Sequence, residues 1–131
     1  MKHKGKPVFP LLAWVLVGLL ISTNAIAAEW RWAVAAEAPV ADSPISAVAA
    51  RAPYILIFDE QGALLEAFTN PVADAPRDAG TRLAEVLSEQ GVEVLVAGKI
   101  GPKLAQALRT REIRGITAQG EASQALEVAQ P

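Results

Sequence analysis

Gly98-Lys99-Ile100-Gly101-Pro102 brings an ammonium group, two glycines and a proline into five residues. Glycine lets a ligand approach the backbone closely, and Gly101-Pro102 opens a helical pattern whose first-turn amides have no partner inside the helix. Together with the Lys99 ammonium, the backbone of Gly98, Ile100 and Gly101 fits an anionic group. The same residues also fit a plain strand-to-helix turn with Lys99 in solvent. Arg51 and Tyr54 form a second candidate. The planar guanidinium of Arg51 suits a carboxylate or phosphate and would reach the same crevice from the preceding loop. Arg51 fits equally a pairing with Asp59 or Glu60, and Tyr54, heading an apolar strand, fits a core position with its hydroxyl at the surface.

Other chemistries lack their side chains. The sequence has no cysteine, one histidine, His3, and one methionine, Met1. Beyond the extreme N-terminus there is therefore no imidazole, thiolate or thioether, the ligands that soft and borderline metals prefer. Ser43, Ser46, Ser88 and Ser123 have no histidine to activate them. Asp42, Asp59, Glu60 and Glu93 do not make a two-metal nuclease, because such sites need carboxylates converging from the strands and the first strand carries none. Trp30 and Trp32 alternate along that strand, which marks a buried face, with stacking on a planar ligand as the alternative. The inventory suits a protein that holds a partner rather than one that transforms it.

The N-terminus carries an address. Lys2, His3, Lys4 and Lys6 precede an uncharged apolar run from Val8 to Ile21, and Ala25-Ile26-Ala27 places small residues where a signal peptidase reads them. Residues 1–27 thus read as a secretory signal peptide cut between Ala27 and Ala28, which would send the protein to the periplasm or outside the cell. The competing reading is an uncleaved anchor, since the uncharged stretch just reaches the ~20 residues that span a bilayer. Only that reading implies a membrane partner. Loss of Lys2, Lys4 and Lys6 leaves nine basic against fourteen acidic residues, a net charge of −5 for residues 28–131. No long-range field remains to draw in nucleic acid or an anionic membrane.

Around the candidate residues, the pattern predicts a single small α/β domain. Trp30 to Ala35 reads as a strand with one buried face. In the long loop from Glu37 to Pro53, Asp42-Ser43-Pro44 reads as a helix start, with Ser43 as N-cap and a short helix over Ile45 to Ala50. Tyr54 to Phe58, the turn Asp59-Glu60-Gln61-Gly62 and Leu64 to Thr69 predict an antiparallel hairpin. Ala79, Leu83, Val86 and Leu87 fall at helical spacing ahead of Gly91. Val92 to Ala97 reads as the central strand, apolar on both faces. A helix from Pro102, a strand over Ile113 to Thr117 and a C-terminal helix closing near Ala129 complete the order. A hairpin followed by βαβ crossovers gives a mixed five-stranded sheet flanked by helices.

Arg51-Ala52-Pro53-Tyr54 running into Ile55-Leu56-Ile57-Phe58-Asp59, followed by a hairpin and then Gly91 to Pro102 with its Ala-Gly-x-Ile-Gly-Pro turn, resembles the dinitrogenase iron–molybdenum cofactor biosynthesis domain family. That family includes NifX-like and NafY-like carriers and the C-terminal domain of NifB. The resemblance spans Trp30 to about Val128 and implies a ribonuclease-H-like fold with a non-enzymatic role in binding or handing over an iron–sulfur or iron–molybdenum type cluster. Family members commonly carry His-Phe-Gly before Arg-Ala-Pro, the histidine being a candidate cluster ligand, and the matching residues here are Val48, Ala49 and Ala50. The expectation is an exported, non-enzymatic binding module. Its crevice lies between the Glu37–Pro53 loop and the Gly98–Pro102 turn and takes a small anionic ligand or metal-containing cofactor. The alternative is a protein-interaction module that kept the fold and lost the ligand.

Overall fold

In the computed structural model, which describes residues 29–131, the middle of the sheet is the first strand, β1 (Arg31–Ala36). The strands β2 (Tyr54–Asp59), β3 (Leu64–Thr69), β4 (Val92–Ala97) and β5 (Arg114–Thr117) give the order β3-β2-β1-β4-β5. β1 pairs antiparallel with β2, and β2 with β3, whereas β4 runs parallel to β1 and β5 parallel to β4. This is the mixed α/β sheet that the order of patterns predicts. The signal-peptide reading concerns residues outside those described.

The two sheet faces are built from different residue sizes. On one, Ala33 and Ala35 of β1 let two helices lie close, and Ile55, Ile57, Leu95 and Ala97 complete a floor for them. α1 (Ala79–Glu89) contributes Leu83 and Leu87 to that layer, and α2 (Pro102–Thr110) contributes Leu104 and Leu108. The other face carries the bulk: Trp32, Val34, Leu56, Phe58, Val94 and Val96. It is covered by a 3-10 turn at Ala122–Ala125 leading into the one-turn helix α3 (Leu126–Ala129), and by Ala41 and Ile45 of the long loop. The Trp32 and Phe58 rings stack with centroids 4.4 Å apart, and the indole N–H donates to the Asp59 carbonyl at 2.8 Å. That bond satisfies the one polar atom the buried ring carries.

Three sequence expectations are corrected. β1 is buried on both faces, because the helices cover Ala33 and Ala35 on one side and the C-terminal turn and long loop cover Trp32 and Val34 on the other. β4 is interior, as its apolar run requires, but lies between β1 and β5 rather than in the middle. The helix over Ile45 to Ala50 does not form. The Ser43 hydroxyl accepts from the amides of Glu37 and Ala38 behind it, at 3.1 and 2.9 Å, instead of capping a helix ahead. Ile45 donates to the Gly120 carbonyl at 2.9 Å and Ser46 to the Ala35 carbonyl at 2.7 Å. These long-range bonds draw the segment onto the sheet and leave only a 3-10 turn, Ala49–Arg51.

Candidate functional site

The long loop, the turn after β4 and the starts of α1 and α2 meet at the end of the sheet where β1 and β4 finish. Gly98 makes this possible. Its amide donates to the Ser46 carbonyl at 2.8 Å, and a Cβ there would lie 2.9 Å from the Ala47 Cα and 3.0 Å from two carbonyl oxygens. Ala49 in turn donates to the Lys99 carbonyl at 3.0 Å, so loop and turn are clasped by hydrogen bonds from both sides. Gly80 does the same for the helices: a Cβ on it would sit 3.0 Å from the Leu104 Cβ and 3.1 Å from Leu104 backbone atoms. The two helix N-termini are thereby held side by side.

Between them lies a crevice of about 570 Å³, bounded by Val48 to Arg51, Pro76 to Gly80 and Gly101 to Leu104. The intrahelical ladders begin with Arg82 N–H to Asp78 O at 3.0 Å and Ala105 N–H to Gly101 O at 2.9 Å. The amides of Ala79, Gly80, Lys103 and Leu104 precede those bonds. Neither helix has a side-chain cap or an acidic residue in its first turn. Asp78, at the N-cap of α1, adopts the left-handed conformation (φ 56, ψ 27) that aspartate tolerates better than most residues, and its carboxylate makes no capping bond. Arg51, Arg77 and Lys103 share the lining with this single carboxylate, giving the crevice a formal charge of +2 on a domain of −5. Among the described residues the one ion pair, Arg111 with Glu85 at 3.6 Å, lies elsewhere.

The wall behind Arg51 is rigid. Its Nη1 donates to the Ala73 and Ala75 carbonyls at 2.9 and 2.7 Å, which fixes the guanidinium against the Val72–Ala75 turn. Asn70, 3% exposed, ties the same turn to the loop: its Nδ2 donates to the carbonyls of Ala50 (3.1 Å) and Ala52 (2.9 Å), and its Oδ1 accepts from the Val72 amide at 3.1 Å.

Of the residues singled out by sequence, Arg51 and Gly101 line the crevice. Gly98 holds the loop against the turn behind it. Lys99 is exposed and not part of the lining. Ile100 packs over β5, with its Cδ1 3.0 Å from where a Gly115 Cβ would be. Tyr54, half-buried, shares its sheet face with Leu56 and Phe58, on the side away from α1 and α2. The structure therefore brings Arg51 and Gly101 together and leaves Tyr54 and Ile100 outside. Arg77, Asp78, Lys103 and Asn70 were not singled out. Arg77-Asp78 directly ahead of a helical pattern, and Lys103 in the first turn of another, were the available signals.

A larger hollow, about 830 Å³, runs along β5 between Ile100, Leu108, Ile113 and Ile116. Its charged lining residues are Arg109, Arg114 and Glu112, a formal charge of +1, and no helix begins in it, so it offers less convergent charge than the crevice. Neither place suits direct metal coordination. Among the described residues no three His, Cys, Asp or Glu side chains cluster. Val48, at the position of the family's histidine, presents an apolar side chain at the crevice, 44% exposed. An iron–sulfur or iron–molybdenum cluster thus finds no histidine or cysteine ligand in the crevice, whose one carboxylate is that of Asp78.

Comparison with known structures agrees with the fold. The apo form of the orange protein from Desulfovibrio gigas matches at 30% identity and TM-score 0.69, over 74% of this chain and 83% of that one. A NifB-type protein from Thermotoga matches at 26% identity and TM-score 0.64, over 76% and 85%. A dinitrogenase-type protein from Methanocaldococcus jannaschii, 13% identical with TM-score 0.53 over 78% and 92%, shares the fold. No protein of curated function matches the chain. The sequence profile described as dinitrogenase iron-molybdenum cofactor matches residues 31–130, nearly all of the described residues, and the chain belongs to that family.

Proposed function

We propose that this protein is an exported, non-enzymatic carrier that holds an anionic cargo in the crevice between the N-termini of α1 and α2. The observation that carries the reading is the sign of the charge. A crevice of +2, lined by free helix-start amides, is set into a domain whose net charge is −5. Helix N-termini favour anions on their own account, which adds to that local reversal. Family membership supports a cargo connected with metallocofactors. Any metal in that cargo arrives with its ligands already supplied, because the crevice has no side chain to add to a soft metal's coordination shell. Arg51, Arg77, Lys103 and the first amides of the two helices, α2 starting just after Gly101, do the holding, Lys99 stands in solvent at the turn, and no group is poised to attack or to move a proton.

Thermal unfolding at low ionic strength, with molybdate, tetrathiomolybdate, phosphate and sulfate added in turn, tests the reading. A ligand that binds only the folded state raises the melting temperature. At least one anion should do so, and the rise should vanish in Arg77→Gln/Lys103→Gln. A rise that persists in the double variant overturns the site, and no rise with any of these anions or with an organic carboxylate or sulfonate overturns the carrier reading. Export is checked separately: N-terminal sequencing of protein from the host's extracytoplasmic fraction should begin at Ala28.

A further inference from the structure

The lining of the crevice is unusual in what it lacks. Of its thirteen residues, four are charged, two are glycine and seven are apolar, with no hydroxyl, carboxamide, imidazole or thiol side chain among them. A sugar, nucleoside or polyol would find partners for some hydroxyls at the charged groups and amides and would lay the rest against apolar walls, at a penalty for each one left unpaired. A bare oxyanion would use the cations and amides and leave the apolar remainder idle. That remainder is exposed: Val48 is 44% accessible at the mouth, with Pro76 and Pro102 also open to solvent. The volume, about 570 Å³, falls within the range usual for small organic ligands and far exceeds the need of one tetrahedral ion.

We propose that the cargo of this crevice is an amphiphilic organic anion, with a carboxylate or sulfonate head on an aromatic or aliphatic body. The head lies at Arg77, Lys103 and the first amides of α1 and α2, and the body lies along Val48, Ala50, Pro76 and Pro102. This rests on the carrier reading and narrows its cargo. Two independent features converge on it: the net +2 charge, which selects an anion, and the apolar walls without neutral hydrogen-bonding side chains, which select against a hydrated or hydroxylated one. Arg51 contributes charge from a fixed position, since its Nη1 is already held by the Ala73 and Ala75 carbonyls.

The probe is 8-anilino-1-naphthalenesulfonate, which joins a sulfonate to an aromatic body and fluoresces when that body is sheltered from water. Titration of the purified protein should show saturable one-to-one binding, weakened about tenfold or more in Arg77→Gln/Lys103→Gln. It should also weaken in Val48→Ser, which removes apolar contact without touching charge. Both variants alter exposed side chains, and unchanged far-ultraviolet circular dichroism confirms that each is folded. Decanoate should displace the dye, and equal concentrations of inorganic sulfate or phosphate should not. Displacement by sulfate as effective as by decanoate overturns this inference and leaves the carrier reading standing. Dye binding indifferent to both substitutions, or no saturable binding while the inorganic anions still stabilise the protein, also overturns it. Failure of every anion in both assays overturns the two together.

Discussion

Asn70→Ala tests whether the crevice wall is built as described. The Asn70 side chain is 3% exposed and makes three hydrogen bonds, to the carbonyls of Ala50 and Ala52 and from the amide of Val72. Alanine at 70 removes all three and leaves the Ala52 carbonyl and the Val72 amide buried without partners. Each such bond contributes about 1 kcal/mol net, and each buried polar group left unsatisfied costs roughly 1–3 kcal/mol. With the Ala50 carbonyl free to find water, the two buried groups set a loss of roughly 2–6 kcal/mol, and relaxation of the exposed turn around the gap places it in the lower part of that range, about 2–4 kcal/mol. For a domain of this size that is a large fraction of the roughly 5–15 kcal/mol available, and it corresponds to a fall in melting temperature of about 10–20 °C. Urea denaturation followed by tryptophan fluorescence reads it directly, since Trp32 is buried against Phe58. At a typical slope of about 1–3 kcal/mol/M, the midpoint moves down by on the order of 1–2 M. Asn70→Asp sharpens the test. It keeps an acceptor for Val72 but turns an oxygen toward two carbonyls, so near neutral pH it should be at least as unstable as the alanine variant. Relative to the parent at equal pH, it should recover in acid, once its carboxyl is protonated. A loss below about 0.5 kcal/mol for Asn70→Ala, the size of an ordinary surface change, would refute the account of this wall.

The remaining predictions concern the clasp, the charges and the ring stack. Gly98→Ala puts a methyl 2.9 Å from the Ala47 Cα. The backbone must shift, with a stability loss of about 1–3 kcal/mol by chemical denaturation and weaker anion binding. Asp78→Asn removes the only carboxylate of the crevice while keeping a residue type that tolerates φ 56, so anion affinity should rise several-fold in the same titrations with stability nearly unchanged. Anion affinity of the parent should fall as sodium chloride is raised, because Arg77 and Lys103 are exposed and screened. Trp32→Phe breaks the 2.8 Å bond to the Asp59 carbonyl and leaves a void beside Phe58; a loss of about 1–3 kcal/mol should appear in urea midpoints followed by circular dichroism.

Sequence periodicity shows the elements here better than it shows what joins them. α1, α2, the hairpin and β4 each carry their own signal, in apolar spacing, in a glycine or proline at one end, or in a β-branched run. β5 and the C-terminal turn also lie where their patterns place them. The segment from Glu37 to Pro53 escaped because its conformation is decided by distant partners. Ser43-Pro44 is a good local helix start, yet Ile45 bonds to Gly120 and Ser46 to Ala35, and neither contact leaves a trace in neighbouring residues. The two-sided burial of β1 was hidden for a related reason: its helix-facing residues, Ala33 and Ala35, are too small to read as a hydrophobic stripe. The candidate site was half legible. Gly101-Pro102 marked one helix start and Arg51 one wall. Arg77, Asp78 and Lys103 join them only because Gly80 lets α1 meet α2 at Leu104, a contact between residues far apart in the chain.

The direction of β1 fixes how the molecule would be presented to its surroundings. Arg31, where β1 starts, has Asp59 and Val92 as sheet neighbours, whereas the crevice opens past Ala97, at the opposite pole where β1 ends at Ala36. Six residues of extended backbone, roughly 20 Å, separate these two poles. In a protein trimmed to the described residues, a tag or tether joined directly to Glu29 starts from the far side from the mouth, and immobilisation through it leaves the binding face turned toward solution.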